Sequence, residues 1–168
     1  WNALTNGVIY VENIAAAMAA ADAGNGDAYR ANASSFIGKL HALHASAADR
    51  FGSLPEGRRT VVTAHDAFGY LADSYGLNFL APVGIDTQAE PSASELAALI
   101  AHLKETGAGA LFVENITSPA LIEQISKETG LKIGGRLFSD ALSEGGGPAT
   151  SYVTMFQHNL GAIMTTLQ

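Results

Sequence analysis

Residues 110–130 read ALFVENITSPALIEQISKETG and contain the pattern of one strand followed by one helix. The first five residues form a short, largely apolar run that is typical of a buried strand. Ser118 and Pro119 favour the start of a helix, because a hydroxyl can accept a free backbone N–H and proline fits the first helical position. Gly130 favours the end of that helix. This segment therefore predicts a strand–helix unit.

The same alternation extends over the second half of the chain. The predicted strands are residues 60–64, 78–85, 110–114 and 132–138, and Pro82 predicts an edge or a bend in the second of them. The predicted helices are residues 67–75, 93–106, 119–128 and 149–167. Strands that alternate with helices indicate βαβ units. We therefore predict an α/β fold with a four-stranded, mainly parallel sheet over residues 59–168 and helices on both of its faces.

Two further helices are predicted before this repeat. Apolar residues at steps of three and four predict an amphipathic helix over residues 4–20. A second pattern of this kind covers residues 27–51, and a helix of that length would be a rod of roughly 37 Å. Such a rod suits a strut that crosses one domain or joins two. We therefore expect a long backbone helix in front of the α/β region.

Composition excludes several classes of function. The chain has 168 residues, 9 Lys and Arg against 16 Asp and Glu, a formal charge of −7, and no cysteine. Without cysteine there can be no disulfide, Cys–zinc site, iron–sulfur cluster or thiol nucleophile. The acidic balance argues against nucleic acid or an anionic membrane as a partner and is compatible with cations. The longest apolar run, residues 14–21, falls short of the ~20 residues that span a bilayer.

Polar residues follow each predicted strand, where open α/β sheets gather their ligands. These candidates are His65 and Asp66, Asp86, Glu114 and Asn115, and Ser139 and Asp140. One imidazole and several carboxylates would thus meet at one edge of the sheet, without Lys or Arg beside them in the sequence. Nitrogen and oxygen donors of this kind suit a divalent cation better than a phosphate or a nucleotide.

Each candidate also has a purely structural interpretation. His65 could be a structural or capping residue, and Asp66 is more readily understood as the cap of the 67–75 helix. Glu114 could equally pair with Arg136 or with a helix N-terminus, and Asp140 could cap a following turn. Only the convergence of His65 and Asp140 favours a metal site.

Other histidines and glycines form weaker candidates. His41 and His44 are three residues apart on the long predicted helix and could share a metal, but a solvated helix face explains them better. His102 and His158 have no carboxylate at metal-ligand spacing. Residues 145–148, GGGP, lack the strand and the Lys-Ser/Thr of a phosphate-binding loop and predict a turn. A Ser/His/Asp triad is not supported, because the sequence has no Gly-x-Ser-x-Gly elbow.

Several blocks together resemble the zinc/manganese-type (cluster A-I) solute-binding proteins of metal ABC transporters. The blocks are TAHDAFGY (63–70) with YGL (75–77), DTQAEPS (86–92), LFVEN (111–115), IGGRLFSDAL (133–142), and the closing pattern of Tyr152, Met155, His158 and Asn159. They follow one another in the family's order over essentially the whole chain. The chain is therefore identified as a member of this family by resemblance.

The resemblance implies two α/β lobes joined by one long helix, with the metal held between the lobes. Residues 1–24 would be a remnant helix of the N-terminal lobe, 25–54 the inter-lobe backbone helix, and 55–168 the C-terminal metal-binding lobe. The chain would begin just after a metal-binding histidine of the N-terminal lobe.

The family's ligand set implies a role for two residues of this chain. His65 would be the third metal ligand and Asp140 the fourth, with the other two supplied by the missing N-terminal lobe. Two ligands alone make an open, weak site, since zinc commonly takes four. Imidazole at the third position favours Zn²⁺, and Mn²⁺ is close behind.

The resemblance predicts a binding protein and not an enzyme. It would capture Zn²⁺ or Mn²⁺ as a transported ligand, in the periplasm or membrane-anchored outside the cell, and deliver it to its cognate ABC permease, with no nucleic-acid partner. Two alternatives remain, a metal-dependent hydrolase with Glu114 as general base and a surface adhesion module. The 4–20 helix should expose apolar surface, which predicts a homodimer or helix exchange.

Overall fold

Four parallel strands form the sheet of the computed structural model, which describes residues 1–85, 91–106 and 109–168. The strands are β1 (Thr60–Val62), β2 (Asn78–Leu80), β3 (Ala110–Glu114) and β4 (Ile133–Leu137). Their order across the sheet is β2-β1-β3-β4, and every pairing is parallel. The predicted α/β fold with a four-stranded parallel sheet is confirmed.

The described residues form six α-helices. They are α1 (Leu4–Ala21), α2 (Gly26–Gly52), α3 (Gly69–Tyr75), α4 (Ala93–Thr106), α5 (Ala120–Thr129) and α6 (Tyr152–Leu167). Short 3₁₀ turns cover Ala23–Asn25 and Glu56–Arg58. All six predicted helices are present, including the long rod α2. None of the helices in the described ranges combines the length and the apolar character needed to cross a bilayer.

Two hydrophobic cores lie on opposite faces of the sheet. One packs the sheet against α2, α3 and α6 and includes Phe51, Phe112 and Phe156, all fully buried. The other packs the sheet against α4 and α5 and includes Leu111 and Ile122. Neighbouring residues of β3 thus enter different cores, because successive side chains of a strand point to opposite faces. The predicted cover of helices on both faces is confirmed.

Several local predictions need correction. Strand β1 ends at Val62, two residues earlier than predicted, and α6 begins at Tyr152, three residues later than predicted. The strand predicted over 78–85 ends at Leu80, and only Val83 beyond Pro82 pairs again, in a single parallel bridge with His65. Proline cannot donate to a strand ladder, which explains the break. Helix α5 begins one residue later than predicted, although the Ser118 hydroxyl still accepts the Ala120 N–H at 3.3 Å.

A further correction concerns the start of α3. Asp66 does not cap this helix, because α3 begins only at Gly69, after Phe68, and no side chain caps it. Asp66 is an exposed residue at the carboxyl edge of the sheet. The candidate Asp86 lies outside the described residues.

Helices α1 and α2 form a hairpin in front of the α/β region. Leu4 and Leu40 join the same buried core, and Val11 and Phe36 pack against it. The opposite side of α1 stays in solvent, with large apolar side chains exposed. The predicted exposure of apolar surface on this helix is therefore present.

Candidate metal centre

The imidazole of His65 and the carboxylate of Asp140 meet at the carboxyl edge of the sheet. Nε2 of His65 lies 3.3 Å from Oδ2 of Asp140. The His65 side chain is 3% exposed and the Asp140 side chain 34% exposed. His65 follows β1 and Asp140 follows β4, so two strands that are not neighbours bring their ends together here. The buried imidazole nitrogen of His65 and the partly exposed carboxylate oxygen of Asp140 therefore face one position.

Glu114 lies between these two strands, at the end of β3, and is buried. Its Oε1 accepts the backbone N–H groups of Ala64 and His65, each at 3.1 Å. Its Oε2 lies 2.8 Å from Nδ1 of the His65 ring. The predicted alternatives, a pair with Arg136 or with a helix N-terminus, are wrong. The register of β1 on β3 places Glu114 beside His65 instead.

Two asparagines fix the loop that carries Asp140. Asn115 accepts the N–H of Ser139 at 3.2 Å and donates to the carbonyl of Ala141 at 3.0 Å, so it holds the residues on both sides of Asp140. Asn159 of α6 is buried; it accepts the N–H of Phe138 at 3.0 Å and donates to its carbonyl at 2.7 Å. Sequence reasoning assigned neither residue this role. A polar residue on the apolar face of a helix, as at Asn159, was the available signal.

The first residues of the chain are bound to the same edge. The indole N–H of Trp1 donates to the Ser139 carbonyl at 2.7 Å, and the Asn2 amide donates to the Ala67 carbonyl at 3.0 Å. The Tyr152 hydroxyl donates to the Trp1 carbonyl at 2.7 Å.

A cavity of about 280 Å³ opens beside these bonds. It is lined by Trp1, Asn2, His65, Asp66, Ala67, Gly69, Tyr70, Ile85 and Asp140. Three of these residues, Trp1, Tyr70 and Ile85, are large, apolar and exposed, and they form an apolar rim around the two donors.

The weaker candidates do not assemble a second site. His41 is exposed, and Nδ1 of His44 lies 3.2 Å from the Tyr75 hydroxyl. Nε2 of His158 donates to the Arg136 carbonyl at 2.8 Å. In the 145–148 segment the Gly147 N–H closes a turn onto the Glu144 carbonyl, as predicted. Within the described ranges no three His, Cys, Asp or Glu side chains are placed to hold a metal together.

Comparison with known proteins identifies relatives along the whole chain. The family model of ZnuA, the periplasmic component A of the zinc-uptake complex, matches residues 1–166. The chain is 32% identical over 163 residues to the iron ABC transporter substrate-binding lipoprotein MtsA of Streptococcus pyogenes, and 30% identical to the manganese ABC transporter substrate-binding lipoprotein PsaA of Streptococcus mitis. Each alignment covers 97% of this chain and 53% of the relative. The chain thus spans about half the length of these relatives.

Solved structures give the same result. The periplasmic zinc-binding protein TroA of Treponema pallidum superposes on 99% of this chain with a TM-score of 0.93 at 28% identity. A Mn-bound periplasmic metal-binding protein of Candidatus Liberibacter asiaticus superposes on the whole chain with a TM-score of 0.90 at 30% identity. This chain covers 62% of each of those two structures. The resemblance inferred from the sequence blocks is confirmed, and the chain belongs to the ZnuA family of periplasmic zinc-uptake components.

Proposed function

We propose that the protein is the metal-binding part of an extracytoplasmic solute-binding protein that captures a divalent transition metal and delivers it to an ABC permease. The observation that carries this proposal is the meeting of the His65 imidazole and the Asp140 carboxylate, 3.3 Å apart, at the carboxyl edge of the sheet. Both side chains present lone pairs to one position, as ligands of a first-row metal do. The relatives' names, which describe periplasmic proteins and lipoproteins, support a place outside the cytoplasmic membrane.

Zn²⁺ or Mn²⁺ is the proposed cargo. One imidazole nitrogen and one carboxylate oxygen fit either ion, and a site with more nitrogen donors favours Zn²⁺. Relatives are named for zinc, manganese and iron, which fits a donor set that several metals can share. We expect Zn²⁺ to bind more tightly than Mn²⁺, in line with the general order of affinities.

The division of the chain follows the same proposal. Residues 1–24 would belong to an N-terminal lobe, residues 25–54 would be the inter-lobe helix, and residues 55–168 would form the C-terminal lobe. The missing metal ligands would come from the N-terminal lobe. The apolar rim around the two donors supports this proposal, because exposed apolar patches beside a site are commonly covered by another surface. The 53% coverage of the curated relatives supports it as well.

The contacts of Glu114 argue against the hydrolase alternative, which needs this residue as a general base. Glu114, the residue proposed for that role, is buried, and its carboxylate is engaged with two backbone N–H groups and with the His65 ring. It is therefore not free to take a proton from a metal-bound water. No observation favours the adhesion alternative, and the named relatives are transport proteins.

The experiment is a titration of the chain with Zn²⁺ followed by ¹H–¹⁵N NMR, which detects weak binding. We expect chemical-shift changes centred on His65 and Asp140. The variants His65→Ala and Asp140→Ala should abolish these changes, because each removes one of two donors. His41→Ala is the matched control, since it removes an exposed histidine on α2. Shift changes centred on other histidines, or none at millimolar metal, would contradict the proposal.

A further inference from the structure

Glu114 is a buried carboxylate that the proposed metal capture does not use as a ligand. Two backbone N–H groups fix its Oε1, and its Oε2 lies 2.8 Å from Nδ1 of His65. Both atoms are buried and, in the described part of the chain, neither forms a hydrogen bond of good geometry, although they lie 2.8 Å from each other. A buried polar atom without a partner is costly, and each of these two atoms is the other's nearest available partner, so we expect a small turn of the ring to pair them.

We propose that Glu114 is the positioning residue of the metal site: it holds His65 with the proton on Nδ1, so that the lone pair of Nε2 faces the metal beside Asp140. This inference rests on the proposed function and deepens it.

The chemistry follows from the two nitrogens of the ring. A neutral imidazole carries one N–H and one lone pair, and only the lone pair binds a metal. A carboxylate accepts hydrogen bonds and cannot donate one, so Glu114 keeps a proton on Nδ1 and leaves Nε2 as the nitrogen that can bind a metal. Nε2 is the nitrogen that lies 3.3 Å from Oδ2 of Asp140. Metal-binding histidines commonly donate their other N–H to a carboxylate, which fixes the ring and raises its basicity.

The anchoring of Glu114 makes this control rigid. Its Oε1 binds the backbone N–H of His65, the residue whose ring its Oε2 contacts. The neighbouring N–H of Ala64 donates to the same oxygen. One carboxylate therefore contacts both the backbone and the ring of His65, and a larger turn of the ring would break its contact with Oε2.

Glu114→Gln tests the proposal with little change of shape. The amide oxygen can keep both backbone N–H bonds, which sets the orientation of the amide. Its NH₂ group then faces Nδ1, and a donor there requires a lone pair on Nδ1 and moves the proton to Nε2. Long-range ¹H–¹⁵N NMR of the ring nitrogens reads the proton position in the metal-free chain. Zn²⁺ titration reads the affinity.

We expect Nδ1 of His65 to carry a proton in the wild-type chain and to lack it in Glu114→Gln, where the proton is on Nε2. Zn²⁺ affinity should fall about 10- to 100-fold in the variant. Glu123→Gln on α5 is the matched control, because Glu123 is an exposed carboxylate that does not line the cavity beside His65 and Asp140. It should leave both measurements unchanged.

Several outcomes separate this inference from the proposed function. A wild-type spectrum with Nδ1 unprotonated would overturn the inference, and this reading holds even if the variant does not fold. A folded Glu114→Gln variant with the wild-type proton position and affinity would also overturn it, while leaving the metal site intact. If the wild-type chain binds no Zn²⁺ at His65, the proposed function fails, and the proton positions alone decide the role of Glu114.

Discussion

Gly7 of α1 lies against the Tyr152 ring of α6. A Cβ at this position would lie 2.6 Å from the Tyr152 hydroxyl oxygen and 3.0 Å from Cε1 of the same ring. That hydroxyl donates to the Trp1 carbonyl and is thus fixed in place. The glycine is required by space and not by backbone conformation, since it lies inside a helix.

Gly7→Ala should destabilise the protein by about 1–3 kcal/mol, the usual cost of overpacking. Two effects oppose each other here, because alanine gains up to about 1 kcal/mol over glycine in a helix. The steric overlap with Tyr152 should outweigh the gain in helix propensity, since the ring is held by its hydrogen bond. Chemical denaturation monitored by circular dichroism measures the difference.

Gly38→Ala provides the control for helix propensity. Gly38 lies within α2 and is exposed, and a methyl group added there would meet no described atom within 4 Å beyond its own stretch of helix. This substitution should therefore stabilise the protein by about 0.5–1 kcal/mol. Equal effects of Gly7→Ala and Gly38→Ala would show that the contact with Tyr152 yields to the methyl group.

The two donors of the metal centre, His65 and Asp140, could be predicted from the sequence. The contacts by which Glu114 holds His65 could not. Strands in a parallel sheet end at one edge, so position in the sequence was enough to bring His65 and Asp140 together. The role of Glu114 depends on register. β1 pairs Val61 with Ala110 and Val62 with Leu111, which places Glu114 level with His65 three residues on. Such a register is a tertiary property that no local pattern contains.

At the scale of elements, Tyr75 joins α3 to α2. Its ring packs on Phe51, with 5.4 Å between the centroids, and its hydroxyl lies 3.2 Å from Nδ1 of His44. Burial raises the pKa of Tyr75 to about 12. The pKa of Tyr152 on α6 is also raised to about 12. Burial is the largest cause, and electrostatic repulsion from the nearby Tyr10 and Tyr75 adds to it.

These raised pKa values predict sensitivity to alkali. The folded state holds both phenol protons more tightly than the unfolded chain, whose tyrosines have a pKa of about 10. The stabilisation is complete below about pH 10 and is lost as the pH rises towards 12. Tyr75→Phe cannot ionise, so the variant should lose less stability over this window. Urea unfolding at a series of pH values measures the slopes.

Tyr70→Phe is the control, because the Tyr70 side chain is largely exposed. It should leave the alkaline decrease as in the wild-type protein. An unfolding free energy that falls equally in Tyr75→Phe and wild type would contradict the role assigned to the α2–α3 junction.

Elements were predictable where their signals are local. The two leading helices follow from apolar periodicity and α5 from its end residues, and the buried run of β3 was predicted with its observed bounds. β2 was predicted too long, because apolar residues continue to Ile85 while the continuous ladder stops at Leu80. Apolar character does not report hydrogen bonding, so it cannot show where a strand leaves its ladder.

At the scale of the whole molecule, α1 carries a stripe of large apolar side chains that faces solvent. Tyr10, Ile14 and Met18 are spaced four residues apart and are all exposed, with Ile14 at 58%. Beside this stripe a groove of about 660 Å³ runs between α1 and α2, lined mainly by alanines that include Ala15, Ala16, Ala19, Ala20 and Ala33. Large side chains next to a groove of small ones can pair with a second copy of themselves through a two-fold axis.

We therefore expect the chain to self-associate through this α1 stripe. The net charge of −7 opposes association, so the effect should grow as salt screens the repulsion. Ile14→Glu should shift the chain towards monomer, because it buries a charge in the apolar contact. Ala45→Glu adds the same charge at an exposed position of α2 and is the matched control. Light scattering over a concentration series measures the average molar mass. A monomer at every concentration would contradict an interface on α1, and so would an equal loss of self-association in both variants.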